Sequence, residues 1–281
     1  TLSQLQEVAQ RDFIYPIGEQ YKYVDRDSTK KQVEQVYYAF SHDRIYESVL
    51  QSTRPSVSEE LNLKAARLIL NVSNFHEIDE QVGTIVSYYN KGRNLVESDE
   101  EKLTIAKLNL RAGQRERKAS AFDESVVHFG ISLDTLFQRR EAVPADLRME
   151  IVRNLGEAEY LRGRKIVAQE HFDRVLKDSR SLHDKLKVFE FKIAIMGSGG
   201  QFAEAVGLGM QALKKAGIKL KNPRSPESMD LKSLIRQAQK MVPLHRKRRK
   251  QEPDPTSLSL ARILSQTITP AFLIKTNQLP G

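Results

Sequence analysis

Residues 153–176 read RNLGEAEYLRGRKIVAQEHFDRVL. Apolar side chains recur here at three- and four-residue spacing on both sides of Gly163, so the stretch reads as two amphipathic helices joined by a glycine turn. Leu155 and Gly156 lie in the first helix, Tyr160 near its end, and Ala168 and Phe172 in the second. A small residue on each helix lets the pair approach closely, with an aromatic filling the space beside them. That is a helical hairpin.

The same arrangement returns downstream. VFEFKIAIMGSGGQFAEAVGLGMQAL, residues 188–213, carries Phe189, Gly200, Ala205 and Ala212 in the same register, and a weaker copy upstream holds Gly113, Ser125 and Phe129. Ser125, Ala168 and Ala205 are separated by 43 and 37 residues. These are degenerate units of the tetratricopeptide type, whose standard period is about 34 residues. The expected fold class is therefore mainly α: a tetratricopeptide-like helical-hairpin solenoid over residues 55–220.

The ends read differently. SQLQEVAQRDF, residues 3–13, has one apolar helical face, and FIYPIGEQYKYV and VEQVYYAF are β-rich segments separated by DRDSTKKQ. They suggest a two-stranded hairpin with a long loop, running into YYAFSHDRIYESVL, residues 37–50, where Ser41 is placed to cap a helix with Ile45, Val49 and Leu50 on its apolar face. Residues 1–54 are thus expected to form a small helix, β-hairpin, helix unit. Residues 221–281 read as a helical extension: a Pro- and Ser-rich turn, a helix over 229–242, the basic run HRKRRK at 245–250, and a last helix ended by Pro270. The first residue is Thr and the chain stops without a helix cap, so an excerpt of a longer protein is expected.

Composition narrows the chemistry. The chain has no Cys, which excludes disulfides and thiolate sites, and its six His are scattered without a ligand spacing. Net charge is +9, with five positive charges in HRKRRK alone. That run has no aromatic and is followed by QEPDP, so it reads as a solvated linker rather than as a polyanion contact. Glu7 and Asp12 flank Arg11 and leave the first helix no basic recognition face, which argues against a direct nucleic-acid-binding role. No window approaches 18 uninterrupted apolar residues and no leader pattern opens the chain; a cytoplasmic protein with no membrane contact is expected.

No phosphate loop, HExxH, GxSxG or kinase motif is present. GSGGQ, residues 197–201, lies between two helices and reads as a hairpin turn. Glu157 and Glu159 point to different sides of one helix and make a poor acid/base couple, and Tyr88, Tyr89 and Asn90 read as a packed helix face. His42, with Asp43 and Arg44, stands at a strand-to-helix junction, as a helix-start residue or as a ligand to an anion. No nucleophile or second base accompanies it.

Three blocks together resemble one family. YYAFSHDRIYESVL, residues 88–136 from YYNKGRNLVES to HFGISLDTL, and GQFAEAVGLGMQALKKAGIKL are similar to segments of multidomain signalling ATPases. In these proteins a Ser/Thr kinase-like domain and an AAA/STAND-type ATPase precede a tetratricopeptide-like region, often followed by GAF and histidine-kinase domains. Phe40, His42, Asp43, Arg44 and Ile45 match the first motif; Asn90, Leu108, Asn109, Leu110, Ala112, Gly113, Ser120 and Ala121 match the second; ARILSQTITPAFL resembles the family's helix near the end of the repeats. Ser48 and Glu116 depart from the usual small residues.

The resemblance implies that residues 1–54 end a winged-helix unit and that His42 senses the phosphates of ADP bound to a core elsewhere in the parent. ATP or ADP with Mg is implied for that core, with no cofactor in this segment, which itself catalyses nothing. Its partners would be proteins or other domains of the same chain, and its role to transmit signals to a C-terminal output domain. A second reading makes it the sensor arm of an ATP-dependent transcription activator.

Overall fold

Ser98 starts the first long helix of the repeat region: its hydroxyl accepts the Glu101 N–H at 3.4 Å. Asp99, Glu100 and Glu101 fill the first turn and Arg115, Arg117 and Lys118 the last, so both ends complement the helix dipole. In a computed structural model of the chain, which describes residues 2–17, 37–139, 143–218 and 254–276, this is one of a series of helices accompanied by a two-stranded antiparallel sheet. The chain divides into two units: Thr1–Phe75 with Ser87–Leu95, and His76–Val86 with Val96–Gly281.

The first unit holds α1 (Leu2–Gln10), β1 (Ile14–Ile17), β2 (Tyr37–Phe40), α2 (Asp43–Ser52) and α3 (Pro55–Val72). Ile14 pairs with Phe40 and Ile17 with Tyr37, the hairpin expected from the β-rich segments, and Ser41 N–H extends the ladder to the Phe13 carbonyl at 3.0 Å. Pro55 sits in the first turn of α3, where its missing N–H costs nothing. Gly92, in the second half of α5 (Val82–Gly92), lies so close to α3 that an added Cβ would stand 2.7 Å from the Glu59 carbonyl oxygen.

The second unit takes in α4 (Phe75–Glu80) from His76 onward, the first half of α5, and α6 (Asp99–Lys118), α7 (Phe122–Phe137), α8 (Ala145–Leu161), α9 (Lys165–Asp178), α10 (Leu182–Ser198), α11 (Phe202–Lys215) and α12 (Pro255–Thr276). Each helix packs on the next: α6 on α7, α7 on α8, α8 on α9, α9 on α10 and α10 on α11, with α12 closing against α10 and α11. This is the helical-hairpin solenoid read from the sequence.

The three hairpins turn by one device. Ser120, Gly163 and Gly200 have φ of 64°, 94° and 76°, and the residue after each donates its N–H to a carbonyl five back: Ala121 to Glu116, Arg164 to Glu159, Gln201 to Met196. These are Schellman caps, which satisfy carbonyls left open at a helix end. The GSGGQ stretch is one of them. The turn residues recur at 43 and 37 residues, like the buried Ser125, Ala168 and Ala205. The difference of six is explained by α7, two residues longer than α9, and by a connection of seven residues over 138–144 where 179–181 has three.

Packing within the hairpins rests on a small residue facing a ring. An added Cβ on Gly113 would lie 2.6 Å from Phe129, and one on Gly156 2.9 Å from Phe172. The third hairpin inverts the pair: at the same repeat positions stand Ile193 and Gly209. Gly209 instead admits α12, with Thr267 against it. Leu260, Ile263, Leu264 and Ala271 of α12 are buried in one cluster with Leu186, Ile193 and Leu213. Pro270, expected to end this helix, lies inside it, and α12 runs on to Thr276. The stretch Pro255–Ile274 is long and, at a mean hydropathy of 1.2, apolar enough to cross a bilayer, although no uninterrupted apolar run marks it.

The loop DRDSTKKQ, the helix expected over 229–242 and the basic run 245–250 lie outside the described residues.

Candidate functional site

The first helices of the three hairpins, α6, α8 and α10, line one open cavity of about 440 Å³ together with α12. Repeat geometry puts them there: Gln114, Glu157 and Ala194 occupy one register position, spaced by the same 43 and 37 residues as the turns, and all three face the cavity. Arg153 and Glu190 share another position. Stacked hairpins with equivalent first helices produce a continuous concave face of this kind.

The groove is charged on both signs, with cations in excess. Glu157 is held between two of them, accepting from Arg153 Nη1 at 2.9 Å and pairing with Arg117. Glu190 lies between Lys187 Nζ at 3.1 Å and Arg262 Nη1 at 3.3 Å. Lys118 makes no ion pair among the described residues and is exposed. Arg153 is 9% exposed; burial lowers its pKa, against the opposing carboxylates Asp184, Glu150 and Glu190. Burial and the neighbouring Arg153 bring Arg117 down to about 10, so Arg117 remains cationic at neutral pH. Among the described residues, three buried polar atoms of the lining side chains lack hydrogen-bond partners: the donor Arg153 Nε and the acceptors Asn154 Oδ1 and Gln266 Oε1. Asn154 Nδ2 donates to the Glu150 carbonyl at 2.8 Å, which fixes the amide's orientation and leaves its oxygen as the open acceptor.

A second cavity of about 310 Å³ adjoins the first, sharing Ala194 and Gln266 with it. Its lining is more apolar, with Ile193 of α10, Phe202 of α11, and Pro270 and Leu273 of α12.

His42 occupies a different place. α2 begins at Asp43, and His42 stands one residue before it, its carbonyl accepting from Ile45 N–H at 3.0 Å and Tyr46 N–H at 3.3 Å. The cap position is thus His42 and not Ser41, whose N–H is engaged with the sheet. Burial is slight along the junction: His42, Asp43 and Arg44 are all exposed, Ile45 is half-buried and Val49 is exposed. Glu157 and Glu159 serve separate networks, the second pairing with Arg162 at 2.7 Å beside the α8–α9 turn. Tyr89 is buried, as a packed helix face requires. Among the described residues no three His, Asp or Glu side chains gather as a metal site.

The sequence reading passed over Arg117, Lys118, Arg153 and Asn154. Their signal was available: they lie one helical turn, three or four residues, from the register positions of Gln114 and Glu157, which only the aligned repeats reveal. Comparison of the chain with family models, with curated proteins and with solved structures found no match.

Proposed function

We propose that this chain is a non-catalytic interaction and regulatory segment, whose repeat region holds a segment of a partner protein, or of another domain of its own chain, in the groove of α6, α8 and α10. The observation that carries the reading is the groove itself: three equivalent helices present charged and polar side chains to one open concave cavity, a form suited to an extended ligand. The resemblance of the 37–50, 88–136 and 200–220 blocks to signalling ATPases supports placing it between an AAA/STAND-type core and an output domain such as a histidine kinase. In that setting the exposed His42, next to a helix N-terminus, is suited to meet a nucleotide phosphate on the core.

Site-specific photo-crosslinking in the parent protein tests the first part. A photo-reactive residue at Lys118, in the groove, should capture a defined segment, and one at Ile166, a 79% exposed side chain on α9 outside the groove lining, should not. Equal capture at both places argues against a groove-specific role. For the nucleotide link, His42→Ala in a protein carrying the ATPase core should speed the release of fluorescent ADP; unchanged release reduces His42 to a helix-start residue.

A further inference from the structure

The groove's chemistry is specific enough to name a ligand class, an assignment that rests on the reading of the groove as the place where a partner segment lies. Its lining holds four cations, Arg117, Lys118, Arg153 and Lys187, against two carboxylates, Glu157 and Glu190, both already engaged in ion pairs. An anion entering here meets Lys118 without competition and adds a counter-charge beside Arg117 and Arg153, two guanidinia crowded by burial. Charge alone does not separate a phosphate from an acidic peptide. Asn154 does: it is fully buried, its Oδ1 has no donor, and its amide cannot turn over without losing the bond to the Glu150 carbonyl. With the unmatched donor Arg153 Nε beside it, the lining calls for a ligand that both donates and accepts, which a peptide backbone does with its N–H and C=O and a fully ionised phosphate, an acceptor only, does not.

The adjoining cavity adds a second requirement. Along α10 the first cavity is lined from Lys187 to Ala194 and the second from Ile193 to Ser198, so their centres lie about five helix residues apart. At about 1.5 Å per helix residue that is roughly 7–8 Å. An extended chain advances about 3.4 Å per residue and covers the distance in about two residues.

We infer that the groove takes an extended acidic peptide, with an Asp or Glu side chain among Arg117, Lys118, Arg153 and Lys187, a backbone N–H on Asn154 Oδ1, and an apolar side chain about two residues away in the cavity beside Pro270.

A peptide array probed with the full chain tests it. Nonapeptides on a Gly/Ser background carry Glu, Gln or Lys at one position and Leu or Ser at another, one to four residues apart. The Glu and Leu combination at a separation near two should bind at least about tenfold more strongly than its Gln or Ser counterparts. Two variants locate the preferences. Lys118→Glu, at an exposed position, should abolish the preference for Glu. Gly197→Leu should abolish the preference for Leu: Gly197 lines the apolar cavity, and the nearest atom to a Cβ there is Pro270 Cγ at 4.0 Å, ordinary contact distance, so the added side chain starts from open space at the cavity's edge. Unchanged thermal midpoints in both variants exclude misfolding as the cause. Binding without a Glu preference, or preferences that survive both variants, overturns the acidic-peptide assignment and leaves the groove reading standing. No binding by any peptide overturns both.

Discussion

Ser120 and Gly163 do the same work at different cost. Both have positive φ in a Schellman turn, but only Ser120 carries a Cβ there, which is unfavourable by about 1 kcal/mol outside glycine. Ser120→Gly should therefore stabilise the chain by up to about 1 kcal/mol, and Gly163→Ala should destabilise it by a similar amount, as read from urea unfolding midpoints. An unchanged midpoint in both variants would show that the turn geometry differs from that described. His128 gives a second test at this scale. Asn109 donates to the Ile105 carbonyl, so its Oδ1, 3.0 Å from His128 Nδ1, accepts from the imidazole. Burial holds the His128 pKa below 6.5, against the opposing pull of Glu116 and Glu124. The unfolded chain then binds the proton more readily than the folded one, so stability is complete above about 6.5 and falls as pH drops from there toward the lower folded value. His171 acts in the same direction, chiefly through burial. Thermal midpoints should decrease between pH 7 and pH 5, and His128→Gln, which keeps a donor for Asn109, should flatten the decrease without removing it.

At the scale of elements, the hairpins obey a rule that one of them breaks to gain a new neighbour. Gly113 with Phe129 and Gly156 with Phe172 fill one site from opposite helices, and a Val at Gly156 would force the ring aside at about 1–3 kcal/mol. In the third hairpin the large residue, Ile193, stands on the first helix, and Gly209 leaves the surface of α11 open to α12. Thr267 presses into that opening, its hydroxyl turned back to the Ile263 carbonyl at 2.6 Å. Gly209→Val should displace α12 while leaving α6–α9 intact. Amide exchange would show it as faster exchange confined to α12 and the helices it covers; faster exchange throughout would mean that the swap is not local. The sequence made the hairpins legible because alternating small and aromatic positions, with glycine at the turns, report directly on helix approach. It did not reveal the inversion, since Gly209 looks like any helical glycine until α12 is seen against it. The groove was hidden for a related reason: Arg117, Arg153 and Asn154 resemble an ordinary polar helix face, and only the stacking of three equivalent helices brings them together.

For the repeat unit, α12 is the element that covers the last hairpin among the described residues. Terminal hairpins of a solenoid expose the face that an interior one would cover, and such arrays need a closing element. Leu260, Ile263 and Leu264 are buried against α10 and α11, and at about 1.5–3 kcal/mol each they contribute roughly 5–9 kcal/mol. A domain's net stability is about 5–15 kcal/mol, so removing residues 254–281 should leave α10 and α11 poorly held. The apolar cavity beside Pro270 would go with them, since half of its lining belongs to α12. The loss should stay local, because each hairpin of a solenoid depends mainly on its neighbours: α6–α8 pack through Phe129, Ile151 and Leu155 in a cluster that α12 does not enter. Hydrogen exchange on the shortened chain should show α10 and α11 exchanging fast and binding of a hydrophobic dye rising, with α6–α8 still protected. Uniform loss of protection would mean that the unit folds as one cooperative body, and the groove would then depend on α12 for its existence and not only for its apolar end.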